Sequence, residues 1–147
     1  MLPNDIENPI LLINGDVLTK TNFKDILKYH EVNSGDITIC AREHLLNSPY
    51  GVIEVDGIYF KSMIEKPSFR QLVNAGVYVI NSEIIRTIKP NHYFDMPDLI
   101  EQTKMLNNRI IVYPIHEYWL DVGKPESLNQ AENEWSNNIR DLWKILL

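Results

Sequence analysis

A mixed α/β fold, with a mostly parallel sheet flanked by helices, is what this 147-residue sequence predicts. The first observation is the wholly apolar run Ile10-Leu11-Leu12-Ile13, closed by Asn14-Gly15, which fits a strand buried on both faces of a parallel sheet. The second is a β-branched stretch from Asp36 to Ala41, separated from the first by a segment of helical period. Such a strand–helix–strand unit suggests a parallel pair. The third is that both periods, two and 3.6, recur in alternation down to residue 115.

Each element has a local cause. Phe23, Ile26, Leu27 and His30 recur at helical spacing, with Thr19 or Thr21 placed to cap the helix and Asn33-Ser34-Gly35 to stop it. Segments 51–55 and 58–64 flank Asp56-Gly57, a tight-hairpin signal. A strand from Asn74 to Ile80 precedes a short helix from Ser82 to Ile88 that Pro90 ends. Asp95 and Asp98 form a capping pair for the next helix, whose apolar face is Met96, Leu99, Ile100 and Leu106. Arg109 to Ile115 is the last strand. Beyond it, Leu128, Ala131, Trp135, Ile139, Leu142 and Leu146 mark one stripe of a long amphipathic helix, with Trp143 beside them. That stripe must be covered, by the sheet or by another copy of the chain. No repeat or linker divides the sequence, so residues 1–147 read as one domain: 1–127 hold the sheet, 128–147 the terminal helix.

Composition bounds the function. Apolar residues make up 44% and charged residues 23%, the proportions of a globular domain. A net charge of −6 disfavours a nucleic-acid surface. Cys40 is the single cysteine, so neither a disulfide nor a cysteine zinc cluster can form within the chain; it reads as a buried thiol in a reducing, cytoplasmic setting. No signal peptide and no membrane-length apolar run is visible. The four histidines, His30, His44, His92 and His116, lack zinc spacing.

Asp16 follows an apolar strand through Asn-Gly, and Asp121 lies in Trp119-Leu120-Asp121-Val122-Gly123. Carboxylates beyond strand ends suit a magnesium ion that shares its shell with phosphates; plain turn and loop chemistry is the alternative at both places. Glu65-Lys66-Pro67 ends the hairpin, either as a phosphate- and hydroxyl-binding corner or as a solvated turn. Asn74-Ala75-Gly76 opens a strand with small residues, through close approach of a ligand or through tight packing. Tyr113, Tyr118 and Trp119 read as core or pocket wall.

Taken in order, Leu-Leu-Ile-Asn-Gly-Asp-Val-Leu (11–18), Tyr-Gly-Val-Ile (50–53), Glu-Lys-Pro (65–67), Asn-Ala-Gly-Val-Tyr-Val-Ile (74–80), Phe-Asp-Met-Pro-Asp-Leu (94–99) and Tyr-Trp-Leu-Asp-Val-Gly-Lys-Pro-Glu (118–126) resemble the sugar-1-phosphate nucleotidyltransferases. That family includes mannose-1-phosphate guanylyltransferases and glucose-1-phosphate thymidylyltransferases, and residues 114–123 look most like the guanylyltransferase branch. The resemblance implies a Rossmann-like, nucleotide-diphospho-sugar transferase-like fold. It implies Mg2+ on Asp16 and Asp121, Lys66 on the sugar phosphate, and Gly51, Glu65 and Asn74 holding the sugar. Asp16, Asp121 and Lys66 are thus the implied catalytic residues, and a sugar-1-phosphate and a nucleoside triphosphate, or a nucleotide sugar, the implied partners.

One departure from the family pattern stands out. The glycine-rich triphosphate loop that precedes Asn-Gly-Asp in the family is missing among the six glycines of this chain. The expectation is therefore a C-terminal portion that lacks the N-terminal nucleotide-binding strands and is inactive in isolation. The alternatives are a non-catalytic sugar-phosphate-binding or interaction module, and a nucleotide-sugar-using glycosyltransferase, which the Asn-Gly-Asp and Glu-Lys-Pro spellings disfavour. An apolar strand left at a sheet edge, or the Trp135/Ile139/Leu142 stripe, further predicts a homo-oligomer.

Overall fold

The computed structural model describes residues 7–89, 93–123, 127–129 and 131. In chain order these form β1 (Ile10–Ile13), β2 (Val17–Thr19), α1 (Phe23–Val32), β3 (Ile37–Asn47), β4 (Val52–Asp56), β5 (Tyr59–Ile64), β6 (Ser68–Ile80), α2 (Ser82–Arg86), α3 (Met96–Met105), β7 (Ile110–Pro114) and β8 (Trp119–Asp121). The main sheet has the order β1-β6-β3-β7, and two ribbons, β2-β8 and β4-β5, stand apart from it.

The α/β class holds, but the mostly parallel expectation needs correction. β6 runs antiparallel to both β1 and β3, and only β3 and β7 pair in parallel. β1 and β3 do point the same way, yet β6 lies between them. The physical reason is that an unbroken apolar run reports burial on two faces and says nothing of direction. β6 meets that condition fully. Val77 and Val79 join Ile26, Cys40 and Ile115 on the α1 side, while Tyr78 and Ile80 join Ile37, Ile84 and Leu99 on the α2–α3 side. Residues Val77–Ile80 are essentially inaccessible, each apolar side chain contributing about 1.5–3 kcal/mol of burial. β1, the apolar strand expected at a sheet edge, occupies one edge among the described residues, with Ile13 exposed.

Local signals map closely elsewhere. Asn22, rather than either threonine, caps α1, its side chain accepting from the Lys24 N–H. Thr19 is otherwise engaged, its hydroxyl donating to the Tyr118 carbonyl. Asp95 caps α3 by accepting from the Asp98 N–H. The β4–β5 turn has Gly57 at φ +59, which explains the glycine. β3 and β6 extend past their expected ends and form an arm from Arg42 to Asn47 against Ser68 to Val73. This arm and the β4–β5 ribbon are solvent-exposed nearly throughout, including Ile53, Val55, Phe60, Met63 and Leu72.

Cys40 is buried, and burial pushes its thiol up to about 12, so it stays protonated and packs as an apolar group. Residues 127–129 and 131 are helical, with Ala131 buried; Trp135, Ile139, Leu142, Trp143 and Leu146 lie outside the described residues. No helix among the described residues is long and apolar enough to cross a membrane.

One buried polar network ties the layers together. His30, on the inner face of α1, contacts the Thr38 hydroxyl through Nδ1 at 2.7 Å and Asn81 Oδ1 through Nε2 at 3.0 Å. Asn81 donates its amide to the Gly35 carbonyl, so its oxygen is the acceptor and the partners assign the His30 proton to Nε2. Replacing His30 by Leu leaves Asn81 Oδ1 and the Thr38 hydroxyl short of a partner. We expect a loss of about 2 kcal/mol, measured as a lower urea midpoint with an unchanged m-value.

Candidate functional site

The site grows out of a distortion in β6. Ile39 pairs with Tyr78 and Ala41 with Asn74, so Cys40 alone faces Ala75, Gly76 and Val77. Gly76 adopts φ +67, and a Cβ there would stand 2.8 Å from Asn14 Nδ2 and 3.0 Å from Val17 Cγ2. Both the conformation and the contact require glycine. Asn74 braces the bulge from one side. Its Oδ1 accepts from the Gly76 N–H at 3.0 Å and its amide donates to the Tyr78 hydroxyl at 2.6 Å.

Two segments dock on this bulge. The Asn14 N–H donates to the Gly76 carbonyl at 2.8 Å, and the Trp119 indole N–H donates to the Ala75 carbonyl at 2.7 Å. Asn14-Gly15-Asp16-Val17 is a turn, closed by the Val17 N–H on the Asn14 carbonyl at 3.2 Å. From it β2 pairs antiparallel with β8, Val17 opposite Asp121 and Thr19 opposite Trp119. The Val122 N–H donates to the Asp16 carbonyl at 2.8 Å.

Asp16 and Asp121 are 105 positions apart in sequence, yet this ribbon brings them to the same place. The point where a Gly123 Cβ would sit is 3.0 Å from Asp121 Oδ1 and 3.2 Å from Asp16 Oδ2. The Gly123 N–H also donates to Asp121 Oδ1 at 2.8 Å, and among the described residues the other oxygen of that carboxylate has no hydrogen-bond partner. Among the described residues no group of three or more acidic, histidine or cysteine side chains gathers into a metal cluster. A pair of exposed carboxylates suits magnesium nonetheless, because that ion takes one or two carboxylates and completes its shell with water and phosphate oxygens. It does not suit zinc, whose sites need three or four protein ligands.

The remaining candidates form a second group. Glu65 Oε2 lies 2.8 Å from where a Gly51 Cβ would be, so the carboxylate rests on the Gly51 backbone. Lys66, next in the chain, is exposed at φ +45 and makes no ion pair among the described residues. The chain from Ser68 to Asn74 is continuous β6, about 20 Å of extended strand. Glu65 and Lys66 therefore lead into the start of β6, and Asn74 lies midway along it. The structure brings together the carboxylate pair and, separately, the Gly51–Glu65 pair, with Lys66 next in the chain after Glu65.

A cleft of about 760 Å3 lies at the opposite end of the sheet, bordered by Lys24, Lys28, His30, Asp36 and Asn81. Its lining includes the carboxylates Glu31 and Asp36, and Asp36 is engaged by the Arg109 N–H and the Asn81 amide. Sequence reasoning missed two participants at the carboxylate end: Gly123, read as loop, and the indole N–H of Trp119, read as pocket wall. The Trp-Leu-Asp-Val-Gly string contained both, but three-residue strands give no period to detect.

With this geometry in place, the nucleotidyl transferase family model matches residues 2–138. The chain belongs to that family. Mannose-1-phosphate guanyltransferase of Pichia angusta is 32% identical over 127 residues, covering 80% of this chain and 34% of that protein. Mannose-1-phosphate guanylyltransferase catalytic subunit beta of Dictyostelium discoideum is 28% identical over 155 residues, covering 99% of this chain and 41% of its own length. The chain thus spans well under half the length of these relatives. Among solved structures, HddC of Yersinia pseudotuberculosis superposes with a TM-score of 0.60 at 21% identity, over 87% of this chain and 56% of that one. That likeness supports the fold. HddC has also been solved as a complex with GMP-PN.

The seat of Gly123 gives a direct test. Its φ is not left-handed, so alanine is tolerated by the backbone there. The new methyl would stand between the two carboxylates. Gly123→Ala is expected to keep its circular dichroism spectrum while losing about tenfold or more in Mn2+ affinity by calorimetry.

Proposed function

We propose that this chain is the sugar-phosphate and metal half of a sugar-1-phosphate nucleotidyltransferase, of the guanylyl-transferring kind. The observation that carries this reading is the convergence of Asp16 and Asp121 on Gly123, on a scaffold whose family membership is established. The names of the relatives support the choice of mannose 1-phosphate and a guanine nucleotide.

In the proposed reaction an oxygen of the sugar-1-phosphate attacks the α-phosphorus of a nucleoside triphosphate in line, and the bond to pyrophosphate breaks. A Mg2+ ion, when bound, supplies a positive centre for phosphate oxygens. Asp16 and Asp121 would hold it from the β2 and β8 sides, each fixed by main-chain bonds of the ribbon. Lys66 would offset the charge of the sugar phosphate, while Glu65 would accept hydrogen bonds from sugar hydroxyls beside the Gly51 backbone. Asn74 has an amide already engaged with Gly76 and Tyr78, so its part is to shape the wall beside the sugar. No side chain needs to form a covalent intermediate, because the work is orientation and charge neutralisation.

A second reading, binding without turnover, is favoured by one observation. The six glycines are scattered singly along the sequence, with no glycine-rich string of the kind that cradles a triphosphate. The two readings share the carboxylate pair and differ in turnover. A homo-oligomer belongs to either reading, supported by the apolar edge strand β1 and the exposed apolar side chains of the β4–β5 ribbon.

We expect the polypeptide to bind Mn2+ and, with it, mannose 1-phosphate or a guanosine-diphosphate sugar, and to release no pyrophosphate from GTP. Asp16→Asn and Asp121→Asn should each weaken the Mn2+ site by about tenfold or more. Wild-type affinity in both variants would remove the basis of the proposal, and pyrophosphate release by the polypeptide would overturn the expected inactivity and exclude the second reading. Light scattering is expected to give a mass above that of one chain; a monomer at micromolar concentration would overturn the oligomer.

A further inference from the structure

The β2–β8 ribbon is too short to hold itself. It has three residue pairs, and an isolated two-stranded ribbon is marginal in water. What holds its two sides is a pair of consecutive carbonyls on β6. Ala75 and Gly76 have no ladder partner on β1 or β3, because the bulge removes both from register. The Gly76 carbonyl takes the Asn14 N–H on the β2 side, and the Ala75 carbonyl takes the Trp119 indole N–H on the β8 side. Ala75 is fully buried, so water cannot replace the indole as donor without opening the packing around it.

We propose that Trp119 is a positioning residue, whose indole N–H latches β8 to the β6 bulge and thereby sets the separation of Asp16 and Asp121. Its link to catalysis rests on the metal reading above; the latch itself does not. Trp119 stands two residues before Asp121 on a strand of three, and Leu120 between them pairs with Leu18. Rotation of the indole away from Ala75 would leave Asp121 tied to Asp16 through the ribbon's short ladder and the bonds that flank it, from the Val122 N–H to the Asp16 carbonyl and from the Lys20 N–H to the Tyr118 carbonyl. The apolar ring also packs against the α1-side core, so two contributions, packing and the hydrogen bond, must be separated.

Trp119→Phe separates them, since phenylalanine keeps an aromatic ring and has no donor. The Val122 amide, which donates to the Asp16 carbonyl, reports the ribbon without any metal. In the full-length variant we expect that amide to exchange about tenfold faster by NMR, with the Val79 amide of the core unchanged. Mn2+ affinity should fall about tenfold. Unchanged protection at Val122 would overturn the proposal. Faster exchange at Val122, with no Mn2+ binding by the wild type, would keep the latch and remove the metal reading. If the variant does not fold, the wild type still decides: an indole proton of Trp119 as protected as the Val122 amide supports the latch, and a freely exchanging one overturns it.

Discussion

The bulge at Ala75-Gly76 in β6 is the constraint on which the rest of this molecule depends. A regular strand would have spent both carbonyls on its neighbours. By placing three residues opposite Cys40, β6 turns two main-chain acceptors toward the loops that carry Asp16 and Asp121. Glycine is needed at 76 for two reasons that coincide, a left-handed φ and the side chain of Asn14 lying where a Cβ would be. Immediately downstream, Val77 to Ile80 are locked into the core on both faces. The precision of the carboxylate pair is therefore borrowed from the best-packed strand of the domain, which is how a loop-borne site obtains a rigid support.

The carboxylate pair gathers negative charge in a chain that already carries a net −6. Two carboxylates turned to one point repel each other, and the Gly123 N–H on Asp121 offsets only part of that. Exposure to water keeps the cost small while the site is open. A divalent cation would convert the repulsion into attraction, and this, more than the presence of aspartates, makes the arrangement chemically suggestive. Lys66, Glu65 and Gly51 obey different constraints. They flank the β4–β5 ribbon, which is solvent-exposed nearly throughout.

Much of the fold was legible because its causes are local. Gly57 marks a reversal, Asp95 and Asp98 mark a helix start, and the burial of Cys40 follows from its apolar neighbours. Other features were hidden for equally physical reasons. The direction of β6 could not be read, since burial on two faces leaves the same apolar run in either orientation. The arm of Arg42–Asn47 against Ser68–Val73 packs on no core, so its sequence carries no alternation. β2 and β8 are too short for any period. Asn22 replaced Thr19 and Thr21 as helix cap because the side chain of Thr19 is taken by Tyr118, a partner 99 positions away.

By itself the sequence determined the α/β class, most of the element order and the resemblance to the nucleotidyltransferase family, because these depend on neighbouring side chains and short motifs. Only the tertiary structure decided that Asp16 and Asp121 face one another across Gly123, and that β6 runs against its neighbours. Those facts are set by hydrogen bonds between segments up to about a hundred residues apart, whose free energy is realised only once the two faces of β6 are buried.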